Sequence, residues 1–181
     1  AERYIRLAPV FGTRILKMTP GPPASAQATD EHWQCLRDAL EKLVLMAEEF
    51  GIKLAFETHM RQLTDTLAGS KRLIEMAESE VVGLTVDFSN LSFAGENMDE
   101  VFSTLSGRMY NTHLKNGIVG KDGSWHFGPL DEGLTNYSAV SSLLRKVNYD
   151  GYLTIECLGP DADKKPIETA KRDLNILRKY M

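Results

Sequence analysis

Apolar residues along the chain alternate between strand-like runs and helix-like spacing. The strand-like runs are predicted at residues 4–10, 52–59, 81–88, 108–115 and 151–158. The helix-like segments are predicted at residues 30–50, 63–79, 98–105, 137–147 and 167–180. Because each strand is followed by a helix, the pattern predicts an α/β fold with a parallel sheet covered by helices.

The longest predicted helix shows clear end signals. Thr29 or Asp30 is a suitable N-cap, and Trp33 and Leu36 begin an apolar face at helical spacing. Gly51 follows the last apolar position, and glycine commonly ends helices because it adopts the left-handed conformation without strain. We therefore expect a helix that ends at about residue 50.

Five strand–helix units follow one another without a change in composition, which predicts one domain over residues 1–181. The alternative architecture is a doubly wound open sheet, which normally carries a glycine-rich phosphate turn after its first strand. Residues 10–14 read Val-Phe-Gly-Thr-Arg and lack that fingerprint. The repeat instead favours part of a (β/α)8 barrel, since a complete barrel needs roughly 250 residues.

Composition narrows the choice of partners. The net charge is −4 and no face is obviously basic, so we expect neither nucleic acid nor an anionic membrane as a partner. No run reaches 18 apolar residues, which also argues against a membrane span. Two cysteines, Cys35 and Cys157, do not form a disulfide pattern, so we expect a reducing, cytoplasmic location.

Acidic residues or histidine stand near the ends of four predicted strands. These residues are Glu57, Asp87, His113 and Glu156, separated by 30, 26 and 43 residues. Charged groups in apolar strands are costly unless they are paired or bind metal, and barrel enzymes build their sites at this end of the strands. Three carboxylates and one imidazole suit Mn²⁺ first, with Mg²⁺ or Co²⁺ as alternatives. The competing interpretation is that each is an ordinary strand-end group or ion-pair partner.

Several short motifs around these residues carry a family resemblance. They are Glu57-Thr58-His59, residues 63–67 (Leu-Thr-Asp-Thr-Leu), Asp87-Phe88 and His113-Leu114-Lys115-Asn116. With them the chain resembles the xylose-isomerase-like TIM-barrel superfamily, and it looks most like bacterial 3-dehydroshikimate dehydratases and relatives described as sugar phosphate isomerase/epimerase. The resemblance covers essentially the whole chain. It implies that the chain matches strands four to eight of the barrel, and that Glu57, Asp87, His113 and Glu156 bind one divalent metal.

The resemblance also implies roles in removing a proton next to a carbonyl. His59 lies two residues after Glu57 and points to the same side of a strand, so it is the candidate acid/base of a dehydratase-like reaction. Glu57 and Glu156 are the candidate bases of an epimerase-like reaction. Ketose epimerases usually lack a histidine at the position of His59, which favours the dehydratase. A strand-end histidine bonded to the backbone is the structural alternative.

Three further residues are candidate substrate contacts. Lys115 lies two residues after His113, on the metal side of its strand, although a solvated strand-end lysine is an equal alternative. Asn90 stands where the family often has histidine, and it is a candidate hydroxyl contact or a turn residue. His126 lies in the long connection 116–133, which we interpret as a substrate-covering lid or a surface excursion.

These observations predict a metal-dependent isomerase or epimerase acting on a small polyhydroxylated carbonyl compound. A 3-dehydroshikimate dehydratase-like lyase is the first alternative, and a non-catalytic barrel fragment is the second. Five units leave two unpaired sheet edges, which are prone to pair with other strands. We therefore expect either a homo-oligomer or a missing N-terminal segment that completes the barrel.

Overall fold

The computed structural model describes all residues, 1–181, and contains one five-stranded sheet in the order β1-β2-β3-β4-β7. Its strands are β1 (Ile15–Met18), β2 (Lys53–Glu57), β3 (Val82–Asp87), β4 (Met109–Leu114) and β7 (Leu153–Ile155). The pairs β1–β2, β2–β3 and β4–β7 are parallel. The predicted α/β class is therefore confirmed.

Seven helices accompany the sheet. They are α1 (Glu2–Leu7), α2 (Asp30–Phe50), α3 (Leu67–Ala77), α4 (Phe88–Phe93), α5 (Met98–Leu105), α6 (Tyr137–Lys146) and α7 (Pro166–Arg178). None of the seven combines the length and the hydropathy that crossing a bilayer requires. By their contacts, residues 1–86 and 107–111 form one compact unit, and residues 87–106 and 112–181 form another.

In the first unit, α2 has the ends that the sequence predicts. Thr29 and His32 form a reciprocal capping box, and Gly51 ends the helix in the left-handed conformation at φ 63°. The buried face includes Trp33 and Leu36, which lie three positions apart as helical periodicity requires. The local signals in this segment agree with the tertiary packing, so the helix was predictable.

The first predicted strand, residues 4–10, is wrong. The segment forms α1 and then a 3₁₀ turn at Ala8–Phe11, which Gly12 ends at φ 70°. Its two buried residues are Ile5 and Ala8, which share one face at a spacing of three. The edge strand is β1 instead, which pairs with β2 from Ile15 onward.

Helix α3 begins four residues later than predicted. Thr64 donates its hydroxyl to the Glu57 carbonyl at 2.6 Å, and Asp65 accepts the Ser25 hydroxyl at 2.5 Å. These bonds hold residues 64 and 65 in a loop, and the hydroxyl of Thr66 then caps the helix through the Gly69 N–H. Side-chain hydrogen bonds to residues outside the helix therefore replace the first predicted turn.

In the second unit, α5 matches the predicted segment 98–105, capped by Asn97. The predicted loop 116–133 contains an antiparallel hairpin of β5 (Asn116–Val119) and β6 (Trp125–Gly128). Strand β7 is shorter than predicted, but the Glu156 N–H still donates to the Leu114 carbonyl at 2.8 Å. Glu156 therefore lies immediately beyond the last residue of the strand.

Candidate metal centre

Asp87 is the last residue of β3 and the N-cap of α4. Every residue of β3 is buried, so the chain passes directly from a fully covered strand into a helix. The Oδ1 atom of Asp87 accepts the Asn90 N–H at 2.9 Å, which fixes the carboxylate. Asp87 is 0% exposed, so its charge needs strong compensation.

Lys115 supplies part of that compensation. Its Nζ atom lies 2.7 Å from Asp87 Oδ2 and 2.9 Å from Glu156 Oε2. Only 4% of Lys115 is exposed, whereas lysines seldom lose their water unless they are paired. Lys115, the candidate substrate contact two residues after His113, is therefore buried and directed at carboxylates.

His113 completes a cluster with Asp87 and Glu156. Its Nδ1 atom lies 3.1 Å from Glu156 Oε1, at hydrogen-bond distance. The available oxygen and nitrogen atoms of Asp87, His113 and Glu156 all lie within 4.8 Å of one another. Two carboxylates, one imidazole and one ammonium group therefore share a small, largely buried volume.

A buried hydrogen-bond network holds the backbone beneath Lys115. The Tyr137 hydroxyl donates to the Lys115 carbonyl at 2.6 Å, and the Ser89 hydroxyl donates to the same oxygen. Thr135 contacts the Ser89 hydroxyl at 2.8 Å. Burial raises the pKa of Tyr137, so its hydroxyl stays protonated as a donor. This network was not predicted, because its members are far apart in sequence.

Asn116 closes the loop that follows the cluster. Its Nδ2 atom donates to the carbonyls of Leu130 at 2.8 Å and Thr135 at 2.9 Å, and its Oδ1 accepts the N–H of Gly117 at 2.9 Å and of Thr135 at 3.1 Å. All of its hydrogen-bonding groups thereby bond to the backbone. Asn116 therefore fixes the base of the hairpin.

Electrostatics in the cluster favour a charged Lys115 and a charged Glu156. The His113 hydrogen bond, helped by the charge of Lys115, lowers the pKa of Glu156 to about 2. Burial would lower the pKa of Lys115, but Asp87 and Glu156 outweigh it and raise that pKa. Burial raises the pKa of Asp87, while Lys115 and the Asn90 N–H oppose the rise.

Glu57 ends β2 in the first unit. Its side chain is 2% exposed and forms an ion pair with Lys17 of β1, which is 40% exposed. Its carbonyl accepts the Thr64 hydroxyl, so the chain turns away immediately after it. The register pairs Glu57 with Thr85, two residues before Asp87 on β3.

His59 lies just beyond β2 and is half-buried. Its Nδ1 atom is 2.8 Å from the Met60 carbonyl, an arrangement that assigns the proton to Nδ1. Gln62 contacts the same nitrogen at 3.4 Å and accepts the Gly21 N–H at 3.1 Å.

The other predicted substrate contacts occupy different surroundings. Asn90 is buried in the first turn of α4, where its N–H donates to the Asp87 carboxylate that caps the helix. His126 is exposed on β6 and contacts Ser124 at 2.8 Å. Its neighbour Phe127 was missed, yet the ring lies 5.8 Å from Lys115 Nζ. Strand alternation on the hairpin would have placed Phe127 opposite to His126 if the hairpin had been recognised.

Comparison with known proteins identifies the family of this arrangement. The model of the xylose isomerase-like TIM barrel family matches residues 1–180. The chain is 27% identical over 165 residues to an inosose dehydratase of Mesomycoplasma hyopneumoniae, which covers 83% of this chain and 55% of that protein. The chain thus spans about half the length of the curated relatives it matches.

Solved structures share the fold. A probable 3-DHS dehydratase, AsbF, from Bacillus anthracis superposes with a TM-score of 0.83 at 22% identity, covering 98% of this chain and 68% of that one. The IOLI protein with a bound zinc atom also superposes with a TM-score of 0.83, at 18% identity, covering 99% and 68%. These likenesses confirm the predicted TIM-barrel fold.

Proposed function

The chain belongs to the xylose isomerase-like TIM barrel family, and from that premise we propose that it is part of a divalent-metal-dependent enzyme. Its reaction begins with removal of a proton next to the carbonyl of a small polyhydroxylated substrate. The observation that carries the proposal is the cluster of Asp87, His113 and Glu156 near the strand ends, where barrel enzymes place their sites.

We propose Glu57 as the fourth ligand. Glu57 ends β2, and the register pairs it with Thr85 on β3, two residues before Asp87 in the sequence. Carboxylate oxygens with one imidazole suit Mn²⁺, Mg²⁺ or Co²⁺, and we expect Mn²⁺. The IOLI structure holds a zinc atom, which supports a divalent cation in this fold.

When bound, the metal supplies Lewis-acid polarisation of the substrate carbonyl. The chain's own contribution is to handle the proton. His59 donates Nδ1–H to the Met60 carbonyl, which leaves Nε2 as the acceptor for a substrate proton. Glu57 and Glu156 are the alternative bases. Asp87 is held by its cap to α4, so it serves as an anchor and does not need to move.

Two reactions begin with this proton removal: loss of water from a cyclic hydroxy-ketone, and epimerisation or isomerisation of a sugar. We favour the loss of water. The similarity to inosose dehydratases and the presence of His59 both support this preference. In such a lyase the same histidine can return the proton to the leaving hydroxyl group. Epimerisation needs only the first proton transfer followed by return to the other face.

The test is a proton NMR time course in D₂O with Mn²⁺, using an inosose, 3-dehydroshikimate and then a panel of ketoses. We expect deuterium exchange next to the carbonyl and new olefinic or aromatic signals from water loss. Stereoisomers of a ketose without water loss would support the epimerase instead. An Asp87→Asn variant is the metal-site control. No exchange in any substrate with metal bound would contradict the proposal and favour a non-catalytic fragment.

A further inference from the structure

Lys115 is the most unusual charged residue in the cluster. Two of its three ammonium protons face carboxylates, Asp87 at 2.7 Å and Glu156 at 2.9 Å. The ring of Phe127 lies 5.8 Å away on another side. With 4% of the residue exposed, little of the ammonium group remains to contact a substrate. This geometry differs from that of a substrate-binding lysine at a strand end.

The oxygens that Lys115 contacts belong to two of the proposed metal ligands. Asp87 and Glu156 offer two carboxylates, and the single ammonium group of Lys115 contacts both. An ammonium group and a divalent cation at neighbouring positions repel each other, and both compete for the same lone pairs. The buried network of Tyr137 and Ser89 holds the Lys115 backbone, and the side chain of Lys115 is itself buried.

We propose that Lys115 is an internal counter-cation that sets the affinity of the site for its metal. This inference rests on the proposed function, since it assumes that Asp87 and Glu156 are ligands. Lys115 weakens metal binding by sharing ligand oxygens, and it compensates the charge of Asp87 and Glu156 before the metal arrives. It is a positioning residue for the ligands and does not transfer the substrate proton.

The test is calorimetric titration of the purified protein with Mn²⁺ at neutral pH, comparing wild type with Lys115→Met and Lys115→Gln. Unit charges about 4 Å apart interact strongly even at an effective dielectric constant of 20, so we expect both variants to bind Mn²⁺ at least about tenfold more tightly. Met retains most of the apolar side chain without the charge, while Gln retains a hydrogen-bond donor. Agreement between the two would assign the effect to charge.

Two controls match the change. Lys17→Met removes a lysine that pairs with Glu57 but is 40% exposed, so solvent screens its charge and we expect less than about a threefold change. Lys71→Met breaks only a surface pair with Glu75 and should leave Mn²⁺ affinity unchanged. Thermal unfolding in EDTA is the second readout. Both Lys115 variants should unfold at lower temperature than wild type and should gain more from added Mn²⁺.

The outcomes separate the two proposals. Wild-type binding of one ion with equal or weaker affinity in both Lys115 variants would overturn the role of Lys115 and leave the ligands standing. Absence of Mn²⁺ binding in wild type would overturn the metal centre and this inference with it. Circular dichroism checks folding, and if Lys115→Met does not fold, the affinity of Lys115→Gln decides.

Discussion

Replacement of Asp87 separates two roles that one carboxylate combines. Oδ1 caps α4 through the Asn90 N–H, and Oδ2 faces the ammonium group of Lys115. Asp87→Asn retains an oxygen for the cap but loses the charge, whereas Asp87→Ala loses both. The difference between the two variants therefore measures the cap, and what they share measures the charge.

The expected magnitudes follow from burial. Breaking a buried ion pair by removing one partner costs about 3–5 kcal/mol of stability. The lower value applies because Lys115 retains its ion pair with Glu156. Loss of an N-cap costs about 1 kcal/mol more. We therefore expect Asp87→Asn to lower the free energy of unfolding by about 3 kcal/mol, and Asp87→Ala by about 4 kcal/mol. Removing a residue that only supports a metal ligand lowers metal affinity about 10–100-fold. Removing the ligand Asp87 should therefore weaken Mn²⁺ binding more than about 100-fold.

Urea unfolding in EDTA measures the first effect, and Mn²⁺ calorimetry measures the second. Asn97→Ala is a matched control, because Asn97 caps α5 through Asp99 at 2.9 Å at an exposed position. It should cost about 1 kcal/mol and leave Mn²⁺ affinity unchanged. If Asp87→Asn binds Mn²⁺ as wild type does, Asp87 is not a ligand. If the Asn and Ala variants are equally stable, the cap contributes nothing.

Four further predictions concern the base, the metal, a buried tyrosine and the sheet edges. His59→Ala should retain Mn²⁺ affinity but lower turnover about 10²-fold, measured by NMR; loss of metal with unchanged activity per bound ion would make it a ligand or a structural residue instead. Mn²⁺ at 100 times its Kd should raise the free energy of unfolding by about 2.7 kcal/mol, and an unchanged melting curve would contradict binding to the native state. Burial raises the pKa of Tyr149 to about 12, so the stability that the neutral Tyr149 hydroxyl contributes should be present below pH 10 and lost as the pH rises through 12. Absorbance at 295 nm should show one ionisation near pH 12 that is missing in Tyr149→Phe. If that ionisation persists in the variant, the assignment to Tyr149 is wrong. Since β1 and β7 each pair with one neighbour in the five-stranded sheet, sedimentation of the 181-residue chain should show self-association, and a stable, cooperatively unfolding monomer would refute the need for a second copy or a further segment.

The sequence alone determined the features whose cause lies within a few residues. The capping box at Thr29 and the glycine at position 51 bounded α2, and the helix at 98–105 was predicted without error. The proposed ligand set stays a prediction, which rests on charged residues at the ends of apolar strands that recur near the spacing of a barrel unit. The two helices could be predicted because local geometry and tertiary packing favour the same residues there.

Tertiary structure decided the features whose cause lies far along the chain. Residues 4–10 were apolar enough for a strand, but the partner of β2 is β1, and only pairing distinguishes the two segments. The hairpin of β5 and β6 likewise depends on cross-strand pairing, and it brings Phe127 near Lys115. The inward direction of Lys115 depends on carboxylates 28 and 41 residues away, so periodicity in the sequence could not reveal its partners. Side-chain direction at a strand end is set by the charges it meets, and those charges come together only when the sheet forms.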